Sequence, residues 1–593
     1  MTTNGQHHQR LLDLRAELAR RGLNGYVVAH TDEHGSEYTP AYAQRLAWLT
    51  GFDGSAGLAV TLQDKAAIFV DGRYTLQARA QVDAADYEYK SLVEDDAAKW
   101  IADTAKAGDR IGYDPWLHSE GWIKKAADTL AAAGMTLVAV ASNPIDAVWT
   151  DQPAPPKAPA EPYEVAYAGV ESATKRAAIA EAMTDVDAVV ITALDSIAWL
   201  LNMRGRDVAR TPVALSFLIL HRSGEADLYL DPDKVTPRLR AHLGNAVRIH
   251  PKTAFLDGLN ALGAAKKTVA VDADATAVAV LQTLSDAGAT IKRRRDPCVL
   301  PKATKNATEL AGMRAAHHRD GAALTRFLAW IDREGPSGKI DEIAAAQRLE
   351  AFRAETGMLK DLSFDTISAA GPNGAIVHYR VTAASNRQIA PGSLYLIDSG
   401  GQYLDGTTDV TRTVAIGAPS EDARRVFTLV LKGHIAIASA RFPRGTTGAQ
   451  LDTLARSPLW REGLDYGHGT GHGVGCYLSV HEGPQRIAKT GAAALLPGMI
   501  LSNEPGYYKA GAFGIRIENL LAVRPSDVKA ELDLLEFETL TLAPIDRKLI
   551  VPELLSGDER AWLDAYHAQV RNALTPLVDT DTARWLAAAT APL

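Results

Sequence analysis

"SLYLIDSGGQYLDGTTDVTRTVAI", residues 393–416, reads as two apolar strands around a Gly/Asp turn. Two acids, Asp398 and Asp409, stand inside the strand patterns, and the midpoint between them falls at Tyr403–Leu404. A hairpin turning there brings the two carboxylates together. Like charges at that distance repel, and a cation is the natural reason to pair them. The device repeats in "MILSNEPGYYKAGAFGIRIENLLAV", residues 499–523. Glu504 and Glu518 are symmetric about Gly511 in the turn "KAGA", so a regular hairpin sets them nearly opposite. Taken singly, such an acid is most often a turn or cap residue. Acid pairs in two mirrored hairpins are harder to read that way.

Between the hairpins lies "YGHGTGHGVG", residues 466–475. His468 and His472 have the four-residue spacing of a helical metal site. Glycines at 467, 469, 471, 473 and 475 exclude the helix, since each costs roughly 0.8–1 kcal/mol relative to Ala. The segment is expected to be extended, its glycines letting backbone pack closely around a ligand, with a histidine completing the acid site. Alone, His472 reads as a structural histidine. Four carboxylates are balanced by two divalent cations. Oxygen-rich ligation with one imidazole suits Mn²⁺, and Zn²⁺ or Co²⁺ fit the same donors. Two metals roughly 3.5–4 Å apart share a bridging hydroxide and polarise a carbonyl, which is hydrolysis chemistry.

The rest of the chain sets limits. Its 593 residues are 47% hydrophobic and 23% charged, enough for several globular cores. The net charge is -8 with no long block of either sign, so neither a nucleic-acid nor a membrane-surface partner is expected. "KRRR", Lys292–Arg295, reads as a solvated domain edge rather than a phosphate site. Two cysteines, Cys298 and Cys476, exclude a disulfide scaffold or a Cys-based zinc site, and Cys476 reads as a small buried hydrophobe. The N-terminus lacks a signal-peptide core and no apolar run approaches membrane-spanning length, so a cytoplasmic location is expected. That N-terminus reads as a helix with Leu11, Leu12, Leu14 and Leu18 on one side.

Two segments read as linkers: the proline-dense "DQPAPPKAPAEPYE", 151–164, and "RRRDPCVLPKATKN", 293–306. They divide the chain into 1–155, 156–301 and 302–593. The first two pieces look like α/β duplicates. Each opens with a helix and an apolar strand, "GYVVAH" at 25–30 and "DAVVITA" at 187–193. Each continues into a similar phrase, "RLAWLTGF" at 45–52 and "SIAWLLNMRG" at 196–205, and further strands, "AAIFVDGR" at 66–73 and "SFLILHR" at 216–222. The third piece begins with a helical pattern from 307 and reads as α+β. Its C-terminal tail, from Glu559, has two helical patterns that either cover the domain or pair with a second copy.

The third piece resembles the pita-bread metallopeptidases, the family of aminopeptidase P, prolidase, methionine aminopeptidase and creatinase. The resemblance rests on "GPNGAIVHYR" at 371–380, "LIDSGGQYLDGTTDVTRT" at 396–413, "GHGTGHGVG" at 467–475, "VHEGP" at 480–484, "LSNEPGYY" at 501–508 and "FGIRIEN" at 513–519. With its duplicated half, and "RLAWLTGFDGSAG" and "FVDGRYTLQA" near the start, the chain is most similar to the three-domain cytosolic aminopeptidase P branch. The resemblance implies two creatinase-like α/β domains, a pita-bread catalytic domain and a homodimer. It implies metal ligands Asp398, Asp409, His472, Glu504 and Glu518, with Asp409 and Glu518 bridging, Asp398 on one metal and His472 with Glu504 on the other. Glu504 would be the general base, His481 would contact the scissile carbonyl, His378 would hold substrate or shuttle a proton, and His468 would line the site. Arg73 would reach the substrate from the N-terminal domain. The plainer alternatives are a packed strand histidine for His378 and a surface pair of His481 with Glu482.

The implied reaction is hydrolysis of the first peptide bond of a peptide whose second residue is proline. That bond is a tertiary amide with no N–H, and a metal site that grips amine and carbonyl does not depend on one. The proline preference rests on the resemblance alone. The competing readings are a prolidase-type dipeptidase, against which the duplicated N-terminal half argues, and a catalytically dead binding module, against which the intact ligand set argues.

Overall fold

The computed structural model describes residues 3–593. Its helix α1 (Thr3–Arg20) buries Leu11, Leu14 and Leu18, while Leu12 is 41% exposed. Positions 11, 14 and 18 form one stripe at three- and four-residue spacing. Leu12 is rotated about 100° off Leu11, so the expectation that it shares the buried side is corrected.

Two six-stranded sheets follow. The first contains β1 (Gly25–Ala29), β2 (Gly57–Leu62), β3 (Ala66–Val70), β4 (Glu88–Ser91), β5 (Arg110–Tyr113) and β6 (Thr136–Ala139), in the order β4-β3-β2-β1-β5-β6. The second contains β7 (Ala188–Ile191), β8 (Ser216–His221), β9 (Ala226–Leu230), β10 (Val247–His250), β11 (Thr268–Val271) and β12 (Thr290–Arg293), in the order β10-β9-β8-β7-β11-β12. Adding six to each label of the first order reproduces the second. In both sheets the first strand has an antiparallel neighbour on one side and a parallel one on the other. The shared phrases fall on equivalent helices, α2 (Arg45–Thr50) and α3 (Leu194–Leu200), and each buries its tryptophan, Trp48 and Trp199. The duplication is therefore one of topology as well as phrase.

Both sheets belong to one compact unit, through Val165 and again over Val170–Val299. The second unit comprises Ala166–Gly169 and Leu300–Leu593. Residues 151–159 form no helix or strand, in keeping with their prolines. The second expected linker is different, because α4 (Val299–Ala303) forms inside it. Pro301 is tolerated there because it sits in the first turn, where the backbone N–H groups have no partner in the helix. The basic run before it is solvated and paired, Lys292 with Asp185 and Arg293 with Glu120.

The second unit opens with the long helix α5 (Ala307–Glu334), started by an Asn306/Glu309 capping box, and α6 (Glu342–Ala354). A three-stranded sheet joins β13 (Ile367–Ala370), β14 (Leu394–Ser399) and β15 (Val410–Ala415), in that order. After α7 (Glu421–Ala438) come β16 (Arg441–Pro443), β17 (Gly471–Gly473), β18 (Glu482–Ile487), β19 (Ile500–Asn503), β20 (Gly506–Lys509), β21 (Phe513–Arg516), β22 (Asn519–Pro525) and β23 (Leu534–Thr539). Six of these form a sheet in the order β16-β23-β22-β19-β17-β18, and β20 pairs with β21 apart from it.

The tail helices α8 (Gly557–Leu574) and α9 (Thr580–Ala589) place Leu563, Tyr566, Val570, Leu574 and Leu586 in one core with Val426, Phe427 and Val430 of α7. The tail thus covers its own unit. Among the described residues no helix is long and apolar enough to cross a membrane.

The α1 stripe gives a direct check. Leu14→Ala removes a fully buried side chain and is expected to cost about 2–5 kcal/mol. Leu12→Ala, at an exposed position, is expected to stay within about 0.5 kcal/mol. Urea unfolding of the two variants, followed by circular dichroism, measures the difference.

Candidate metal centre

The site is built where two hairpins and one glycine-rich strand meet. In the first hairpin Asp398 pairs with Thr411 and Ser399 with Val410. The same register continues through Tyr403 and Gly406, so the turn is Leu404–Asp405, one residue later than the sequence midpoint. Asp409 therefore lies just before β15, diagonal to Asp398 rather than opposite it. In the second hairpin Asn503 pairs with Asn519 and Gly506 with Arg516. These pairs share one register, which sets Glu504 opposite Glu518, where the chain leaves one sheet and enters the other. β17 runs beside β18 and β19, carrying His472. Its glycines are required: a Cβ on Gly471 would stand 1.9 Å from the Ser502 carbonyl oxygen, and one on Gly473 would stand 2.3 Å from that of Glu482.

The side chains converge. His472 Nε2 is 3.5 Å from Asp409 Oδ2 and 3.5 Å from Glu504 Oε1. Asp409, His472 and Glu518 each offer a ligand atom, all within 4.8 Å of one another. His472 Nδ1 lies 3.0 Å from the Gly473 carbonyl, which holds the ring proton there and leaves the Nε2 lone pair facing the acids. Thr411 donates its hydroxyl to Glu518 at 2.8 Å, and Ser502 donates to Glu504 at 3.3 Å while accepting the His472 peptide N–H. Arg516 donates to Asp398 Oδ2 at 2.6 Å, whereas Asp398 Oδ1 is buried with no hydrogen-bond partner. Asp398, Asp409 and Glu518 are buried, and His472, Glu504 and His481 are partly open.

Burial and mutual repulsion raise the affinity of these acids for protons. Asp409 is pushed well above the usual carboxylate range, by burial and then by Asp398 and Glu504. Glu518 is raised likewise, by burial and then by Asp409, Asp398 and Glu504. Burial also raises Glu504, to about 7, with Arg516 pulling down and Asp398 pushing up. Crowded carboxylates that hold protons, one imidazole lone pair and an orphaned buried oxygen are the donor set of a hard or borderline divalent cation. The residues present fit such an ion.

The remaining histidines take distinct places. The His481 ring meets that of His472 edge-on at 4.3 Å, and its charge favours ionisation of Asp409 and Glu504. Glu482 does not form a surface pair with it. That carboxylate is buried and held by Lys302 and Lys305. His468 sets Nδ1 on the Gly469 carbonyl at 2.7 Å, with Glu504 Oε2 4.0 Å from the same nitrogen, and Nε2 on the Tyr508 hydroxyl at 2.8 Å. Tyr508 in turn accepts from Arg516 at 2.7 Å, so Asp398, Arg516, Tyr508 and His468 form one chain. His378 is a half-buried turn residue, not a strand residue, just after a 3-10 turn (Gly371–Ala375) packed against β14, β20 and β21. Arg73 belongs to the other compact unit, where Asp71 and Glu37 hold its guanidinium.

Arg516, Tyr508, Thr411 and Ser502 are absent from the sequence-based site. Arg516 had a signal: it lies two residues before Glu518 in an apolar strand pattern, on the same face. It is 1% exposed, and a buried Arg demands an acid.

Comparison with known proteins adds the family. Residues 311–525 match "Metallopeptidase family M24", and 533–593 match the "C-terminal region of peptidase_M24". Residues 10–148 and 151–309 each match the "Creatinase/Prolidase N-terminal domain". The chain is 42% identical to a probable Xaa-Pro aminopeptidase P of Neosartorya fischeri, over 99% of this chain and 92% of that one. The chain belongs to metallopeptidase family M24. Like the M24 proteins it resembles, it has the pita-bread catalytic fold behind creatinase-type domains. It is 40% identical to aminopeptidase P2 of Arabidopsis thaliana, over 96% of this chain and 86% of the other. A crystal structure of X-prolyl aminopeptidase from Caenorhabditis elegans, described as a cytosolic enzyme with a di-nuclear active site, superposes with a TM-score of 0.94 at 35% identity. That match covers 99% of this chain and 100% of the other.

For an M24 metallopeptidase the raised acids carry a pH signature. Glu504 ionises near 4.5 when unfolded and at about 7 in the folded, ion-free chain. Across that window the fold holds more protons than the unfolded chain, so ion-free stability falls as pH rises. The chelated protein is therefore expected to melt lower at about pH 7 than at about pH 5, with a smaller difference once metal is bound. Metal uptake at about pH 6 should release protons, read by titration calorimetry in buffers of different ionisation enthalpy. Uptake without proton release would mean the acids are already ionised.

Proposed function

We propose that this M24 metallopeptidase is an aminopeptidase that cleaves the first residue from peptides with proline in second position, using two divalent ions. The observation that carries the reading is the convergence of Asp398, Asp409, His472, Glu504 and Glu518 in a chain similar end to end to Xaa-Pro aminopeptidases. On this reading the two creatinase-type domains span 1–155 and 156–301, and the catalytic domain spans 302–593. Asp409 and Glu518 would serve both ions, Asp398 would serve one, and His472 with Glu504 would serve the other. Mn²⁺ suits this oxygen-rich set best, with Zn²⁺ or Co²⁺ as substitutes. A cytoplasmic homodimer is the matching assembly, by likeness to the nematode enzyme described as cytosolic for the location.

When bound, the ions supply Lewis acidity toward the scissile carbonyl and lower the pKa of water. The chain's own groups do the rest. Glu504 would take the proton from the attacking water while its carboxylate stays on the ion. His481, beside His472, donates to the oxygen that gains charge in the transition state. His468, with Nδ1–H on a carbonyl, keeps Nε2 for the Tyr508 hydroxyl and so orients the hydroxyl that links Arg516 to this ring. His378 and His468 flank the substrate.

A dipeptide-specific prolidase is the second reading. A prolidase structure from Thermococcus sibiricus matches 63% of this chain at 23% identity, a likeness of fold that leaves more than a third of the chain unmatched. The test is a panel of Xaa-Pro-Xaa, Xaa-Ala-Xaa and Xaa-Pro peptides with Mn²⁺, Zn²⁺ and Co²⁺, beside metal analysis. Cleavage of Xaa-Pro-Xaa well above the other two, with about two ions per chain, is the expected result. Turnover confined to Xaa-Pro would favour the prolidase, and a chain that binds no metal would be a binding module.

A further inference from the structure

Glu482 follows His481 directly and begins β18. Its side chain is fully buried, and the two ammonium groups that hold it are 1–2% exposed. Lys302 Nζ donates to one carboxylate oxygen at 2.9 Å, and Lys305 Nζ donates to the other. Lys305 Nζ also donates to the Lys302 carbonyl at 2.7 Å, closing the lysine segment on itself. The Lys305 peptide N–H donates to the Gly498 carbonyl at 3.0 Å, and Thr304 bridges to Met499, just ahead of β19. The main chain of Glu482 pairs with Gly473, next to the ligand His472. One residue is thus gripped at its carboxylate by 302–305 and at its backbone by the strand of the metal centre.

Desolvating three charges costs several kcal/mol per ion, and apolar side chains of similar volume would hold a fold together at least as well. What such a cluster supplies is direction: two short charge-assisted bonds fix a carboxylate in position and orientation. The group this direction bears on is the next residue, whose ring stands 4.3 Å from His472. We infer that Glu482, clamped by Lys302 and Lys305, is a positioning residue for His481, setting where that ring meets the substrate carbonyl. The inference rests on the reading of His481 as the donor to that carbonyl. It also gives a stretch that reads as a linker in sequence a part in catalysis, since both lysines come from 293–306 and belong to the same unit as Glu482.

The test is a double-mutant cycle in the full-length, metal-loaded protein on an Xaa-Pro-Xaa peptide. His481→Ala alone is expected to lower kcat roughly 10²–10³-fold. Glu482→Gln, or Glu482→Asp if the amide does not fold, is expected to lower kcat by up to roughly 10²-fold, with bound metal unchanged and KM little moved. The double variant should be no slower than His481→Ala, because a misplaced ring and a missing ring lose the same contact. A second readout needs no metal or turnover. In the metal-free protein the His481 ring resonance, assigned by its loss in His481→Ala, should shift in the Glu482 variant while that of His434 stays in place. A Glu482 variant with native kcat and an unmoved His481 signal, beside a slow His481→Ala, would overturn the inference alone, as would losses that multiply in the double variant. A His481→Ala enzyme with native kcat would overturn the reading of His481 and the inference with it.

Discussion

Carboxylates do not gather in a buried place without compensation. Two unit charges 4 Å apart repel by about 4 kcal/mol at the effective dielectric of a protein surface, and by more in the interior. Asp398, Asp409, Glu504 and Glu518 meet under that constraint, and the rest of the catalytic unit is arranged around it. The backbone places them, through two hairpins whose registers aim acids at one point. Neutral donors, Thr411 and Ser502, orient them without discharging them. Arg516 balances one charge on Asp398 and leaves its other oxygen bare. What remains is a surplus of negative charge that either keeps protons or takes divalent ions, and metal affinity follows from that surplus.

The glycine-rich strand answers a second demand. An imidazole must reach the acids from a backbone that runs between Ser502 and Glu482 with no room for side chains on its flanks. Gly471 and Gly473 are spaced by two, so the residue between them points to the opposite face, and that residue is His472. Strand periodicity explains why glycine and histidine alternate there.

Much of this was legible in the sequence, because it is local. Mirrored spacing of acids about a turn encodes hairpin register, and register is arithmetic: Glu504 and Glu518 share the sum of Asn503 and Asn519. From sequence the first hairpin reads one residue short, because Asp409 lies just outside its strand. The duplicated half was legible in order and in phrase, since both copies follow one strand sequence. Long-range partners were not legible. Arg516 and Glu482 look like ordinary strand charges until the fold supplies their counter-ions, 118 residues away for Asp398 and 177 for Lys305. Lys302 and Lys305 read as linker residues for the same reason, because charge and proline report solvent exposure only on average. Leu12 failed differently: a run of leucines is denser than the stripe a helix can bury.

The hairpin bearing Glu504 and Glu518 keeps one register while its strands pass from the large sheet into the small one. The two glutamates sit at its waist, where the backbone belongs to neither sheet. A cation held at that point would act as a rivet, because any swing of the β20–β21 arm against the sheet alters the gap between the carboxylates. Occupancy of the centre and stiffness of the joint would then be one variable, and the arm beyond the rivet, with Tyr508 and Arg516 on it, is the part of the wall that it would set.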